Sequence, residues 1–208
     1  VYNGKRELLT ILKDRKSSTI REYLESLKEK PEKVVIDLFM QFRNVIKNTL
    51  PKAEIVADKY HYVRHTEWML RDIRIRLYNQ NSKYKDLKKY WKLISKNPLK
   101  LTEKQQKRMN KLRKLNEEFS RCYGYKEEFY KLLELSSPEE FKKGFEDFTE
   151  RLSKSGIKEC MYLSKTYKNW EREILNSIKY KIDNGFVEGY NNKIKVIKRS
   201  KNSIYSKN

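Results

Sequence analysis

The feature that most restricts this chain's fold is a pair of short apolar runs, each closed by an aspartate, with one helix's worth of sequence between them. Val34-Val35-Ile36 ends in Asp37, and Ile55-Val56-Ala57 ends in Asp58. Phe39, Phe42, Val45, Ile46 and Leu50 recur between them at helical spacing until Pro51, which lacks the N–H a helix interior requires. Runs this short and uniformly apolar suit strands buried on both faces, and a helical crossover joins parallel neighbours. The segment from Val34 to His61 therefore predicts strand, helix, strand. In open α/β sheets ligand chemistry gathers beyond the carboxyl ends of the strands, where Asp37 and Asp58 stand. Aspartates there also cap helices and start turns, so the residues by themselves leave both roles open.

The surface charge narrows the partner. Lys and Arg total 49 against 28 Asp and Glu, a formal net charge of +21. Such an excess favours a polyanion, with nucleic acid ahead of an anionic membrane surface. Aromatics at 12% argue against disorder and for a packed core. No apolar run approaches the roughly 20 residues that cross a bilayer, and no secretory leader pattern opens the sequence. Cys122 and Cys160 stand apart without a C-x-x-C pair, which excludes a disulfide scaffold or zinc finger and fits a reducing cytoplasm.

In chain order, Val1-Tyr2, Asn3-Gly4 and Glu7 to Leu12 read as a hairpin with a cut first arm, which predicts a fragment of a longer protein. Thr19-x-x-Glu22 reads as a capping box opening a helix with Ile20, Leu24 and Leu27 on one face, ending before Pro31. From Lys59 to about Ser136 the pattern is wholly helical. Leu70, Ile73 and Leu77 mark one segment, and Leu87, Trp91 and Ile94 another that stops before Pro98. Thr102-x-x-Gln105 opens a long helix through Met109, Leu112, Leu115, Phe119 and Cys122. Ser137-Pro138-x-Glu140 starts the next, with Phe141, Phe145, Phe148 and Leu152 inward and Gly156 as its C-terminal cap. A last helix of this block spans about Ile157 to Ile182, with Tyr167, Trp170, Ile174 and Ile178 inward.

Charge within this block is uneven. From Lys83 to Lys114 there are 13 Lys or Arg against Asp86 and Glu103, with Tyr84, Tyr90 and Trp91 interleaved. Such a face suits phosphate backbones, and it also suits plain solvation. The stretch from Asp183 to Asn208 predicts a further helix with Val187, Tyr190, Ile194 and Ile197 inward. Glu188, Asn191, Asn192, Lys195 and Arg199 share its other side. Glu188 there is either a favourable charge in the first turn or a metal-binding carboxylate beside a phosphate-binding face.

Two segments carry a family likeness. KAEIVADKYHYVRH and NGFVEGYNNKIKVIKR resemble segments of the bacterial DDE transposases of the IS-L-three group, with VVIDLF, Pro51 and LKDR in the matching order. The resemblance covers essentially the whole chain. It implies an α/β fold: an RNase H-like mixed sheet lacking its first strand, with a large all-α insertion before the last catalytic helix. Its parts would be residues 1–62 and 183–208 as core and residues 63–182 as insertion. Asp37 would be the second acid of the triad and Glu188 the third, while Asp58-Lys59-Tyr60-His61 would match the accompanying D-x-x-H signature. An alternative reading of the resemblance makes Asp58 the second catalytic acid instead. The first acid would lie on a strand before Val1, and the chain would lack the family's N-terminal DNA-binding regions.

The implied chemistry is cleavage and strand transfer of DNA, at transposon ends and target, with Mg²⁺ or Mn²⁺ held by Asp37 and Glu188. Two metal ions about 3.5–4 Å apart can stabilise both the attacking and leaving oxygens of an in-line displacement. An incomplete triad predicts little or no cleavage by this chain. Asn191, Asn192, Lys193, Lys195, Lys198 and Arg199 are expected on the DNA backbone. Transposases commonly act as dimers on paired ends, so a homodimer is among the implied assemblies. His61 and His65 are four apart, a zinc-ligand spacing, but no third ligand falls at a suitable interval, and His61 is expected to orient beside Asp58. The competing reading is a non-catalytic basic helical protein that binds nucleic acid, its acids only capping helices.

Overall fold

The structure is a computed structural model, and its described residues are 3, 7 and 9–182. Most of the expected hairpin at the start lies outside them, as does everything from Asp183 onward, including the expected last helix. Among the described residues of the hairpin, residues 9–12 carry no strand; Asn3 N–H donates to Glu7 O and closes a local turn instead.

The two apolar runs are strands. β1 (Lys33–Ile36) and β2 (Glu54–Ala57) pair in parallel, with Val34 opposite Ile55, Val35 opposite Val56 and Ile36 opposite Ala57. α2 (Met40–Thr49) is the crossover between them, burying Val45 and Ile46. Before β1, α1 (Ser17–Ser26) packs against α2. It starts three residues earlier than expected: Lys16 is its N-cap without a side-chain bond, and Thr19 is a buried residue within the helix, so no capping box forms there. The Thr19 side chain instead hydrogen-bonds the Asp14 carboxylate ahead of the helix. Among the described residues the sheet is this one parallel pair, set in a mostly helical body, and the further strands of the expected RNase H-like mixed sheet are not among them.

The helical block begins with α3 (Lys59–Gln80), capped by Asp58. Two short helices, α4 (Lys85–Lys89) and α5 (Trp91–Ile94), follow where one segment was expected, with the break at Tyr90. α6 (Glu103–Arg113) has the full Thr102–Gln105 capping box. The long helix expected from there is in fact two. α6 stops at Arg113, and α7 (Glu117–Leu132) restarts on Asn116, whose side chain accepts from Phe119 N–H at 2.9 Å. α8 (Pro138–Ser153) is capped by Ser137 as expected, its hydroxyl oxygen accepting from Glu140 N–H while its O–H donates to the Glu139 carboxylate, without the reciprocal Glu140 side-chain bond that would complete a box. Gly156, at φ +71°, lies beyond the helix end, in the turn leading to α9 (Lys158–Asn169). The expected single helix to Ile182 breaks at Trp170, and α10 (Glu171–Tyr180) completes it. No described helix is long and apolar enough to cross a membrane.

The centre of the helical block is aromatic. Phe129, Phe141, Phe145, Phe148 and Tyr167 are fully buried, with Phe129 stacked on Phe148 at 5.6 Å and tilted over Tyr167 at 5.1 Å. Burial of each such ring contributes about 1.5–3 kcal/mol. Hydroxyls tie this core to α3: Tyr167 donates to Tyr62 O at 2.8 Å, so it accepts from Thr66, 2.6 Å away. Tyr62 in turn meets Ser177 at 2.9 Å. α10 brings the chain back to the sheet, where Asn176 donates to the carbonyl of Ile55 and Tyr180 to the Glu54 carboxylate. Chain order thus runs out from β2 along α3, through the helices, and back onto β2.

Candidate metal centre at the carboxyl ends of the strands

Because β1 and β2 run parallel with Ile36 beside Ala57, the residues that follow them emerge at the same end of the sheet. Asp58 N–H donates to Ile36 O at 2.9 Å, extending the ladder by one step and fixing the two aspartates side by side. Asp58 then turns into α3. One carboxylate oxygen, Oδ1, accepts from Tyr60 N–H at 3.1 Å, satisfying a helix N-terminal donor, and the residue is buried. Asp37 is the more accessible acid, its side chain one-third exposed.

His61, in the first turn of α3, closes the cluster. Its Nε2 lies 3.0 Å from Asp37 Oδ1 and 3.8 Å from Asp58 Oδ2. The D-x-x-H spacing predicts His61 beside Asp58; it does lie there, but its shorter contact is to Asp37. One ligand-type atom from each of Asp37, Asp58 and His61 falls within 4.8 Å of the others. The imidazole beside Asp37 holds its carboxyl below the usual carboxylate range, prevailing over burial, and Arg15 adds to the effect. Arg15 reaches Asp37 Oδ2 at 3.9 Å from an exposed position, a contact that a ligand could displace. It comes from the LKDR segment, whose place in the family pattern gives no hint that it neighbours the site.

His65 does not join. It lies edge-on to Trp68 at 4.7 Å, and burial pushes its imidazole down to about 4. The i, i+4 histidine pair therefore diverges, and the cluster that could hold a metal omits His65. Glu188 and the expected DNA contacts, Asn191, Asn192, Lys193, Lys195, Lys198 and Arg199, lie outside the described residues.

The donor set fits a hard divalent cation. Two carboxylates supply oxygens, and the cluster's one nitrogen, Nε2 of His61, is already engaged with a carboxylate. Mg²⁺ suits the oxygens, and Mn²⁺ tolerates an imidazole as well.

The family model of the IS-L-three transposases, described as transposase, matches residues 1–201, and the chain belongs to that family. Among curated proteins it is similar to the transposase for insertion sequence element IS1001 of Bordetella parapertussis, 26% identical over 203 residues. That alignment covers 93% of this chain and 50% of the relative, so the chain spans half the length of the protein it matches. No solved structure matches it.

Proposed function

We propose that this chain contributes the second and third acids of a DDE catalytic centre that cleaves and joins DNA through divalent metal ions. The observation carrying this reading is the convergence of Asp37, Asp58 and His61 beyond the carboxyl ends of two parallel strands. Asp37 is the second acid, ionised and accessible. His61 orients it, donating from Nε2 to Oδ1 and leaving Oδ2 for a cation. Asp58 is the positioning residue of the pair, since one of its oxygens is committed to the cap of α3. This division of labour favours Asp37 over Asp58 as the catalytic acid. Residues 1–62 and 183–208 form the core and residues 63–182 the insertion.

Glu188 is assigned as the third acid. Tyr180 contacts Glu54 at the start of β2, the end opposite Asp58. Asp58 is about 13 Å along the strand from there. The six residue steps from Ile182 to Glu188 span at most about 21 Å of extended chain and about 9 Å of helix, so reaching Asp58 requires an extended lead-in before the helix that carries Glu188. Bound Mg²⁺ or Mn²⁺ would polarise the scissile phosphate and its nucleophile. Asn191, Asn192, Lys193, Lys195, Lys198 and Arg199 are assigned to the DNA backbone of transposon ends and target, with a homodimer as the working assembly.

The test is calorimetric titration of the chain with Mn²⁺. Asp37→Asn and Glu188→Gln should each weaken binding at least tenfold, and exposed carboxylate controls such as Glu25→Gln should not. Unchanged Mn²⁺ affinity in both site variants would overturn the assignment.

A further inference from the structure

A groove of about 760 Å³ opens between the segment carrying α4 and α5 and the exposed face of α6. Lys89, Lys92 and Lys96 line one side. Lys104, Lys107, Arg108 and Lys111 line the other. No carboxylate lines it, and among the described residues none of these seven cations forms an ion pair. Neighbouring cations behave otherwise: Arg76, Arg113, Lys126 and Arg151 are each matched to a glutamate. Gathering unmatched like charges along one groove works against the fold, so a polyanionic ligand is the natural reason for their arrangement.

The presentation is rigid. Lys104, Lys107, Arg108 and Lys111 recur at i, i+3, i+4 and i+7, one face of α6, while Met109 and Leu112 bury the other. That face spans about 10 Å, close to three base-pair steps of B-DNA. Arg108 stacks over Tyr90 at 5.0 Å and Lys89 approaches the same ring at 5.5 Å. The ring is thereby covered by cations and offers no open platform for unpaired bases, which favours a duplex backbone over a single strand.

We propose that this groove is a second DNA site, binding the phosphate backbone of a duplex without reading its sequence. It rests on the transposase reading only for the choice of DNA as the polyanion. The site is separate from the aspartates: Trp91, between the lining residues Tyr90 and Lys92 in sequence, stacks with Arg74 at 5.1 Å. Arg74 is sixteen residues past Asp58 in sequence, about 24 Å along the α3 axis. A duplex touching both would cover about seven base-pair steps between them.

The test is fluorescence anisotropy of this chain with a random-sequence duplex and with transposon-end duplex, in EDTA, over a salt series. A groove variant, Lys92→Glu with Lys96→Glu, Lys107→Glu and Lys111→Glu, is compared with an equal charge change elsewhere. The control carries Lys143→Glu, Lys158→Glu, Lys165→Glu and Lys168→Glu, all exposed positions. The groove variant should lose at least tenfold more affinity than the control for both duplexes. Its log–log salt slope should be shallower by about 0.9 for each phosphate that is no longer neutralised. A matching Lys→Gln set, checked by thermal melting, should show the same order with a smaller loss. Equal losses in groove and control variants would overturn the proposal, as would a loss confined to the transposon-end duplex. The groove comparison is made in EDTA and the Mn²⁺ titration without DNA, so failure of the metal centre and failure of the groove are told apart.

Discussion

Lys126 is fully buried, and removing either partner of its ion pair should destabilise the chain with opposite pH dependences. Its ammonium lies 2.6 Å from Glu67 Oε1 and donates to Ile94 O at 2.8 Å, joining α7 to α3 and to the end of α5. Burial lowers the Lys126 pKa and raises that of Glu67, in each case against the pull of the partner. In Glu67→Gln the ammonium loses its counter-charge, and its escape is to deprotonate. From an ordinary value of 10.5, that caps the cost at about 4.8 kcal/mol at pH 7. In Lys126→Met the carboxylate is stranded; protonation from an ordinary 4.5 caps the cost at about 3.4 kcal/mol.

The signs differ. A carboxyl raised in the folded state loses stability as pH rises, so the Lys126→Met cost should shrink to about 1.4 kcal/mol or less at pH 5.5. A lysine depressed in the folded state gains stability as pH rises, so the Glu67→Gln cost should shrink to about 2 kcal/mol or less at pH 9. Urea unfolding at the three pH values measures both, and the double variant should cost less than either single one at pH 7. Single variants that each cost under about 1 kcal/mol at pH 7, with no pH trend, would refute the view that this pair is a buried, mutually dependent clamp.

Other outcomes follow from the same geometry. His65, held near 4 by burial, binds its proton less readily folded than unfolded, so stability should fall as pH drops from 6.5 toward 4. Full burial would make this about 3.4 kcal/mol; its partial solvent access reduces it to about 1–2 kcal/mol, and His65→Gln should flatten that acid limb in melts across the range. Gly156→Ala meets open space but keeps φ at +71°, so backbone strain should lower stability by about 1 kcal/mol, or 2–4 °C in Tm. His61→Gln should weaken Mn²⁺ binding about tenfold in calorimetry without altering the far-ultraviolet spectrum, since His61 acts by orienting Asp37.

Local signals are legible where one stretch carries its own constraint. Three apolar residues ending in aspartate, twice, suffice for β1, β2 and their parallel pairing, and Pro51 marks the end of α2's run. The Thr102 and Ser137 starts are legible because their caps are local chemistry. Continuity misleads: the apolar stripe through Leu112, Leu115 and Phe119 runs unbroken across Asn116, which serves as a new N-cap rather than a solvent-facing helical residue. Trp170 likewise keeps helical spacing while the backbone turns at it. Thr19 has the chemistry of a cap, and packing buries it inside α1 instead. Long-range partners leave no trace in the sequence. Nothing in the order of residues pairs Lys126 with Glu67, sets Cys122 Sγ 3.2 Å from Cys160 Sγ, or turns His61 to Asp37 rather than to its own D-x-x-H aspartate.

The most direct measurement of the central claim is anomalous scattering from crystals of this chain grown or soaked with Mn²⁺. A manganese peak coordinated by carboxylate oxygens of both Asp37 and Glu188, with Asp58 and His61 alongside, is the expected result. A peak ligated elsewhere, or none with the carboxylates of Asp37 and Glu188 remote from each other, would contradict it.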